Sequence, residues 1–250
     1  MSSSTAASVI AALGTAVGIA TALAPIPTMR AVIAANSNGD YSVLPYIVTF
    51  CQCLLWISYA IVTPGKSELL PVNIFVCVVE FVYVVIFLKY VEKMGKKHIQ
   101  LFRTIGISFG PTVIILGISC FLSAVNASKV LGVSAVLSNI VMYGAPLAAV
   151  RTVIETRSVR YMPFLLSLIG TIASLIWSSW AFITKDLFVL TPNLIGAVLG
   201  AIQLGVYFKY KRIEDEDLLR QRDSTPMIQQ TSTSTDATSH HDEESGLIRK

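Results

Sequence analysis

Apolar residues fall into seven long runs along this chain, at roughly 8–30, 43–63, 70–90, 104–125, 131–151, 163–183 and 188–209, with short polar stretches between them. A helix rises about 1.5 Å per residue, so about 20 residues cross a hydrocarbon core of about 30 Å. Membrane β-strands would instead alternate polar and apolar positions over segments of about 10 residues. The pattern predicts an all-α polytopic membrane protein with seven transmembrane helices. Composition agrees: 54% of residues are hydrophobic, 14% are charged and the mean hydropathy is +0.67, against about 25% charged residues in soluble domains.

The second half of the pattern repeats the first about 120 residues later. Ala24-Pro25 and Arg30-Ala31-Val32-Ile33 recur as Ala145-Pro146 and Arg151-Thr152-Val153-Ile154. Trp56, Asn73 and Lys89-Tyr90 are answered by Trp177, Asn193 and Lys209-Tyr210. Three helices form each copy, and three is odd, so a second copy following directly would insert upside down. The unmatched run at 104–125 restores the direction, giving two parallel three-helix bundles joined by a linker helix, 3+1+3. The expected boundaries are 1–95 for the first repeat, 96–129 for the linker transmembrane helix, 130–212 for the second repeat and 213–250 for a disordered cytoplasmic tail. Duplicated bundles place their substrate site where the copies meet, near the bilayer midplane. The repeat therefore points to a transporter.

Charge sets the expected orientation. With the N-terminus outside, twelve basic residues lie on the cytoplasmic side (Arg30, Lys89, Lys93, Lys96, Lys97, Arg103, Arg151, Arg157, Arg160, Lys209, Lys211, Arg212) and only Lys66, Lys129 and Lys185 lie opposite. This is the positive-inside bias. It also accounts for the net charge of +4 without a nucleic-acid partner. No basic flank precedes the first run, which argues against a cleaved signal peptide. Asn126-Ala127-Ser128 is a glycosylation sequon expected in an outer loop. Cys51, Cys53, Cys77 and Cys120 fall in apolar runs and read as buried thiols. The tail is too polar and Ser/Thr-rich to offset ordering entropy, and its Glu243-Glu244-Ser245-Gly246-Leu247-Ile248 fits an acidic dileucine sorting pattern.

Four prolines stand at corresponding places, Pro25 and Pro45 against Pro146 and Pro163. Proline lacks a backbone donor and clashes with the preceding turn, so the four suggest a hinge ring near the inner face. Asn73 and Asn193 put amides in apolar helices, where each needs a hydrogen-bond partner. Across a pseudo-twofold axis they can converge on one neutral polyhydroxyl ligand, because an amide both donates and accepts. Trp56 and Trp177 lie within their runs, where an indole can stack on the apolar face of a sugar ring. Glu80 is an intramembrane carboxylate with Gly200 at the matching place; it reads either as a proton relay or as a structural residue, protonated or bonded to a tyrosine. No nucleophile–base constellation or metal-ligand spacing is present, no cofactor is implied, and enzyme activity is not expected.

The ordered segments Ala24-Pro25 to Arg30, Leu44-Pro45-Tyr46 through Leu55-Trp56, Val72-Asn73, Met142-Tyr143-Gly144-Ala145-Pro146-Leu147, Ser158-Val159-Arg160-Tyr161-Met162-Pro163-Phe164 and Thr191-Pro192-Asn193 resemble the eukaryotic SWEET sugar transporters, also called the MtN3/saliva family. The resemblance spans roughly 10–210. It implies passive, bidirectional sugar movement by alternating access, with Pro25, Pro45, Pro146 and Pro163 as the hinge tetrad. It also implies a sugar pocket of Asn73, Asn193, Trp56 and Trp177, and an outer gate closed by Tyr59 and Asp186. Gln52 and Ala173 stand at further pocket positions, Gln52 where plant members often carry serine. Met142 stands where hexose carriers have a bulky residue and sucrose carriers a smaller one, so a hexose such as glucose is the expected substrate. The expected partners are a small-molecule sugar and the lipid bilayer, with a homo-oligomer left open. The expected location is the plasma membrane. A rival is a proton-coupled carrier of the PQ-loop type, moving amino acids or other small solutes in a vacuolar or endolysosomal membrane; Glu80 and the tail motif would suit it.

Overall fold

The computed structural model describes residues 3–39, 41–90 and 96–224. Its helices are α1 (Ser3–Leu23), α2 (Ile26–Ala35), α3 (Leu44–Val62), α4 (Leu70–Tyr90), α5 (Lys96–Cys120), α6 (Ala124–Met142), α7 (Gly144–Thr156), α8 (Phe164–Ile183) and α9 (Leu187–Ser224). Among the described residues, seven spans are long and apolar enough to cross a membrane, because α1–α2 and α6–α7 each make one broken span. The protein is a multi-pass membrane protein.

The breaks follow from proline. Pro25 is the N-cap of α2, and Pro146 lies in the first turn of α7, where a missing N–H is tolerated. Each ring would clash with the carbonyl four residues earlier, and the preceding helix ends near that point, at Leu23 and Met142. The duplication extends to the backbone. Asn36 and Arg157 cap α2 and α7 at equivalent places, both left-handed, with φ of 49° and 54°, a conformation that is uncommon for an arginine. Lys89 and Lys209 each lie over the ring of the following tyrosine, 5.2 and 5.5 Å from its centroid.

Within the first copy α4 packs against both α1 and α3, and within the second α9 packs against both α6 and α8. The copies meet through α1 against α8 and α3 against α6, contacts that a twofold rotation interchanges. Close approach needs small residues: a Cβ on Gly14 would lie 2.8 Å from the Trp177 ring, and one on Gly132 would lie 2.6 Å from Phe188. The linker α5 breaks the symmetry, because it packs on α3 and α6 and so backs one of these two interfaces.

Two buried clusters mark the two ends of the bundle. At the face where α1 begins, here the N-terminal face, the core combines Ala7, Ala11, Leu55, Tyr59 and Leu69 with Leu131, Ala135, Trp180, Ala181 and Val189, from both copies. At the opposite, C-terminal face the second cluster holds Met29, Val32, Val43, Ile47, Cys51, Tyr83 and Phe87, all from the first copy.

Three expectations change. Chain beyond 212 was expected to be unstructured, yet α9 continues to Ser224, supported by the i,i+4 pairs Lys211–Asp215 and Arg212–Glu216; the dileucine-like segment lies outside the described residues. Asn126 is exposed but lies in the first turn of α6 and not in a loop. Cys120 is exposed, not buried.

Candidate functional site

A cavity of about 220 Å³ lies between the copies, lined by Thr49, Gln52, Cys53 and Trp56 of α3, Leu69 just before α4, Val72, Asn73 and Val76 at the start of α4, Asn139 of α6, Trp177 of α8, and Val189 and Asn193 of α9. Four residues singled out as matched pairs, Asn73, Asn193, Trp56 and Trp177, therefore share one space. The two amides are posed alike. Asn73 Nδ2 donates to the Leu69 carbonyl and Asn193 Nδ2 to the Val189 carbonyl, each at 2.8 Å. This bond to the preceding turn fixes the rotamer and uses one of two N–H groups, leaving the other N–H and the amide oxygen for a ligand.

Gln52 faces the same cavity. Met142 and Ala173 do not line it. Met142 ends α6 one turn beyond Asn139, and Ala173 lies one turn before Trp177 in α8. Both belong to the next helical layer toward the C-terminal face. Asn139 was missed. It was one polar residue in an apolar helix with no partner in the repeat, Gly18 standing opposite, and its Nδ2 adopts the same backward bond, to the Ala135 carbonyl at 3.0 Å.

Above the cavity, Tyr59 Oη donates to Asp186 Oδ2 at 3.0 Å. Both residues are buried and they come from opposite copies, so the bond closes the N-terminal face. Lys66, also missed, completes the closure. Its Nζ lies 3.1 Å from Asp186 Oδ2, donates to the Thr184 carbonyl at 3.1 Å and sits 5.3 Å from the Trp180 ring centroid. In the sequence Lys66 was only one of three basic residues on the sparse side. The other oxygen of Asp186 accepts from the Phe188 and Val189 amides at 3.1 Å each, which caps α9. One carboxylate thus serves the gate and the helix that carries Asn193. Tyr59 is packed edge-on by Trp56 and Phe188, so gate and pocket share side chains.

The four prolines lie below the cavity at helix starts: Pro25 before α2, Pro45 in the first turn of α3, Pro146 in that of α7 and Pro163 before α8. None is fully buried. A hydrogen bond anchors the second break, where Tyr143 Oη donates to the Pro192 carbonyl.

Glu80 is buried on α4, and its Oε2 has no hydrogen-bond partner. Tyr83 Oη donates instead to the Ala22 carbonyl at 2.9 Å. Opposite, a Cβ on Gly200 would run into Thr171, so helix packing leaves no space there for a second carboxylate. Among the described residues no group of three His, Cys, Asp or Glu side chains could hold a metal ion.

Paired three-helix bundles around a central cavity, closed on one side by a cross-copy hydrogen bond, define a membrane transporter of the internally duplicated class. The sequence profile of the family described as "Sugar efflux transporter for intercellular exchange" matches twice, over residues 8–95 and 129–215. The chain belongs to this family, the SWEET (MtN3/saliva) transporters. It is 34% identical over 231 residues to the bidirectional sugar transporter SWEET13 of Arabidopsis thaliana, covering 91% of this chain and 74% of the relative. It is 36% identical to SWEET17 of the same plant over 203 residues, covering 81% and 84%. A solved structure of a eukaryotic SWEET transporter at 3.7 Å resolution superposes with a TM-score of 0.74 at 26% identity, covering 84% of this chain and 97% of that one. These relatives do not favour the amino-acid carrier.

Proposed function

We propose that this protein carries a hexose such as glucose across the plasma membrane in both directions by alternating access, without ion coupling. One observation carries the reading: two amides posed alike face one cavity beside two indoles, Asn73 and Asn193 with Trp56 and Trp177. Hydroxyls take the free amide groups, and the apolar face of the ring takes an indole. Tyr59, Asp186 and Lys66 form the outer gate, the four prolines form the hinge of the inner one, and the sparse basic residues on the gate side support reading that side as the exterior. Glu80 is a single carboxylate without a counterpart, which supports equilibration over proton-driven accumulation.

Uptake of labelled glucose into vesicles bearing the purified protein tests this. Asn73→Ala and Asn193→Ala are each expected to cut uptake nearly to background at equal abundance, since a lost hydrogen bond with a stranded partner costs about 1–3 kcal/mol. A protonophore is expected to leave the initial rate unchanged. Unaltered uptake by both variants would refute the site, and accumulation above the external concentration would refute uncoupled transport.

A further inference from the structure

Ala22 and Tyr143 occupy equivalent positions in the repeat, since Ala24-Pro25 matches Ala145-Pro146. Each stands at the break of its span, and a tyrosine hydroxyl ties each break to the third helix of its own copy. The two ties are built differently. In the first copy the tyrosine lies on the third helix, and Tyr83 Oη donates to the Ala22 carbonyl at 2.9 Å. Tyr83 follows Asn73 by ten residues, about 15 Å along α4. In the second copy the tyrosine lies at the break, and Tyr143 Oη donates to the Pro192 carbonyl. That carbonyl belongs to the peptide unit leading into Asn193. One tie therefore reaches a pocket amide directly, and the other grips its helix far from one.

The turn that Tyr143 holds is also the weak point of α9. Pro192 lies inside the helix, so the Phe188 carbonyl receives no N–H from four residues ahead. The Tyr143 hydroxyl lies against the Gly196 amide as well, between two groups that an unbroken helix bonds to each other. A side chain inserted there lets a helix bend. Gly196 provides the room, because a Cβ on it would lie 3.0 Å from Tyr143 Oη. The first copy has Val72 and Val76 at these places. Asp186 of the outer gate caps the same helix, so the first turns of α9 connect gate, pocket and inner break.

Resting on the reading of the cavity as a sugar site, we infer that Tyr143 is a positioning residue that passes sugar occupancy at Asn193 to the inner hinge at Pro146. A sugar bridging Asn193 to Asn73 braces the weak turn, so that the break, α9 and its Asp186 cap move together. Without sugar the turn flexes, and motion at one end is poorly transmitted to the other. The loaded carrier therefore changes state faster than the empty one. This coupling runs through the second copy, whereas Tyr83 fixes the first break without reaching the pocket.

The test compares net entry of labelled glucose into empty vesicles with its exchange against unlabelled glucose inside, using the full chain. Net entry waits on the return of the empty carrier, and exchange does not. Exchange by the unmodified protein is expected to run about fivefold faster, within reach of one net hydrogen bond. Tyr143→Phe removes only the hydroxyl and should bring exchange down close to net entry. Equilibrium glucose binding to the purified variant should change little, because the Val189 carbonyl and not Tyr143 fixes the Asn193 rotamer. Gly196→Ala, which crowds the hydroxyl, should give the same loss by a second route. Tyr83→Phe should slow both fluxes by one factor and keep their ratio. The coupling is overturned, with sugar transport left standing, by any of four results: a ratio near one in the unmodified protein, a ratio unchanged in Tyr143→Phe and Gly196→Ala, binding lost in proportion to exchange, or an equal loss of the ratio in Tyr83→Phe. If the unmodified protein moves no glucose, the sugar reading itself falls and the inference with it.

Discussion

The two ends of the bundle are built from the same duplicated sequence, yet only one has a buried cluster and buried polar contacts shared by both copies. At the N-terminal face both copies contribute to one buried cluster, and Tyr59, Lys66 and Asp186 join across it. At the C-terminal face the buried cluster belongs to the first copy alone, and the prolines stand at helix starts without full burial. The first end is held by polar contacts shielded from water, and the other end contains the helix breaks. Such an arrangement suits a carrier that closes one side through specific bonds and opens the other by bending. It is one state of a cycle whose other state must reverse this contrast.

The largest effect on this contrast is expected from Asp186→Ala. It removes the bond to Tyr59, strands Lys66 at a buried site and uncaps α9. Breaking one partner of a buried ion pair costs about 3–5 kcal/mol, so transport should fall by more than tenfold, and a cysteine placed at Val189 should become reactive to a reagent added at the N-terminal face. An unreactive cysteine would mean that the seal does not depend on this carboxylate.

Pro25→Ala and Pro146→Ala act at the other end. Each restores a backbone donor and favours a straighter span, which should slow exchange between states. Transport is expected to drop severely while equilibrium sugar binding falls less. Proportional loss of both would make the prolines part of the pocket and not a hinge.

Lys66→Met should do less than the aspartate change, because Tyr59 and the α9 cap still hold Asp186. A several-fold fall in uptake is expected, with a milder gain of cysteine reactivity at the N-terminal face. An effect equal to that of Asp186→Ala would make the ion pair, and not the tyrosine bond, the main fastening.

The smallest effect is expected at Met142. Because it lies a turn outside the cavity lining, Met142→Val should move the sucrose-to-glucose uptake ratio only slightly. A large rise would show that the layer below the cavity takes part in size selection.

How much of this was legible beforehand varied by residue. The amide pair stood out because two polar side chains recurred at one spacing in apolar helices. Asn139 did not recur, so nothing separated it from a residue that merely bonds its own helix. The tryptophans were matched by recurring about 120 residues apart with the rest of the repeat, but Trp56 follows Pro45 by 11 residues and Trp177 follows Pro163 by 14. Three residues in a continuous helix shift a side chain by about 4.5 Å along the axis, so both rings reach the cavity from inexact counterparts. Met142 and Ala173 came from the resemblance, which carries a position in the chain but not its height relative to the cavity.

The sequence by itself determined the solvent, the number of spans, the duplication and the helix breaks. Each is a local requirement: apolar length must match the hydrocarbon core, backbone polar groups must be satisfied within the helix, and proline denies one of them a donor. The tertiary structure decided the rotation and height of each helix against its neighbours. Those two quantities bring Lys66 to Asp186 across the copies, turn Gln52 and Asn139 into the cavity, and set α5 behind one wall only. A lipid-facing helix that is apolar all round has little intrinsic preference for which side turns inward, so packing between helices fixes that choice.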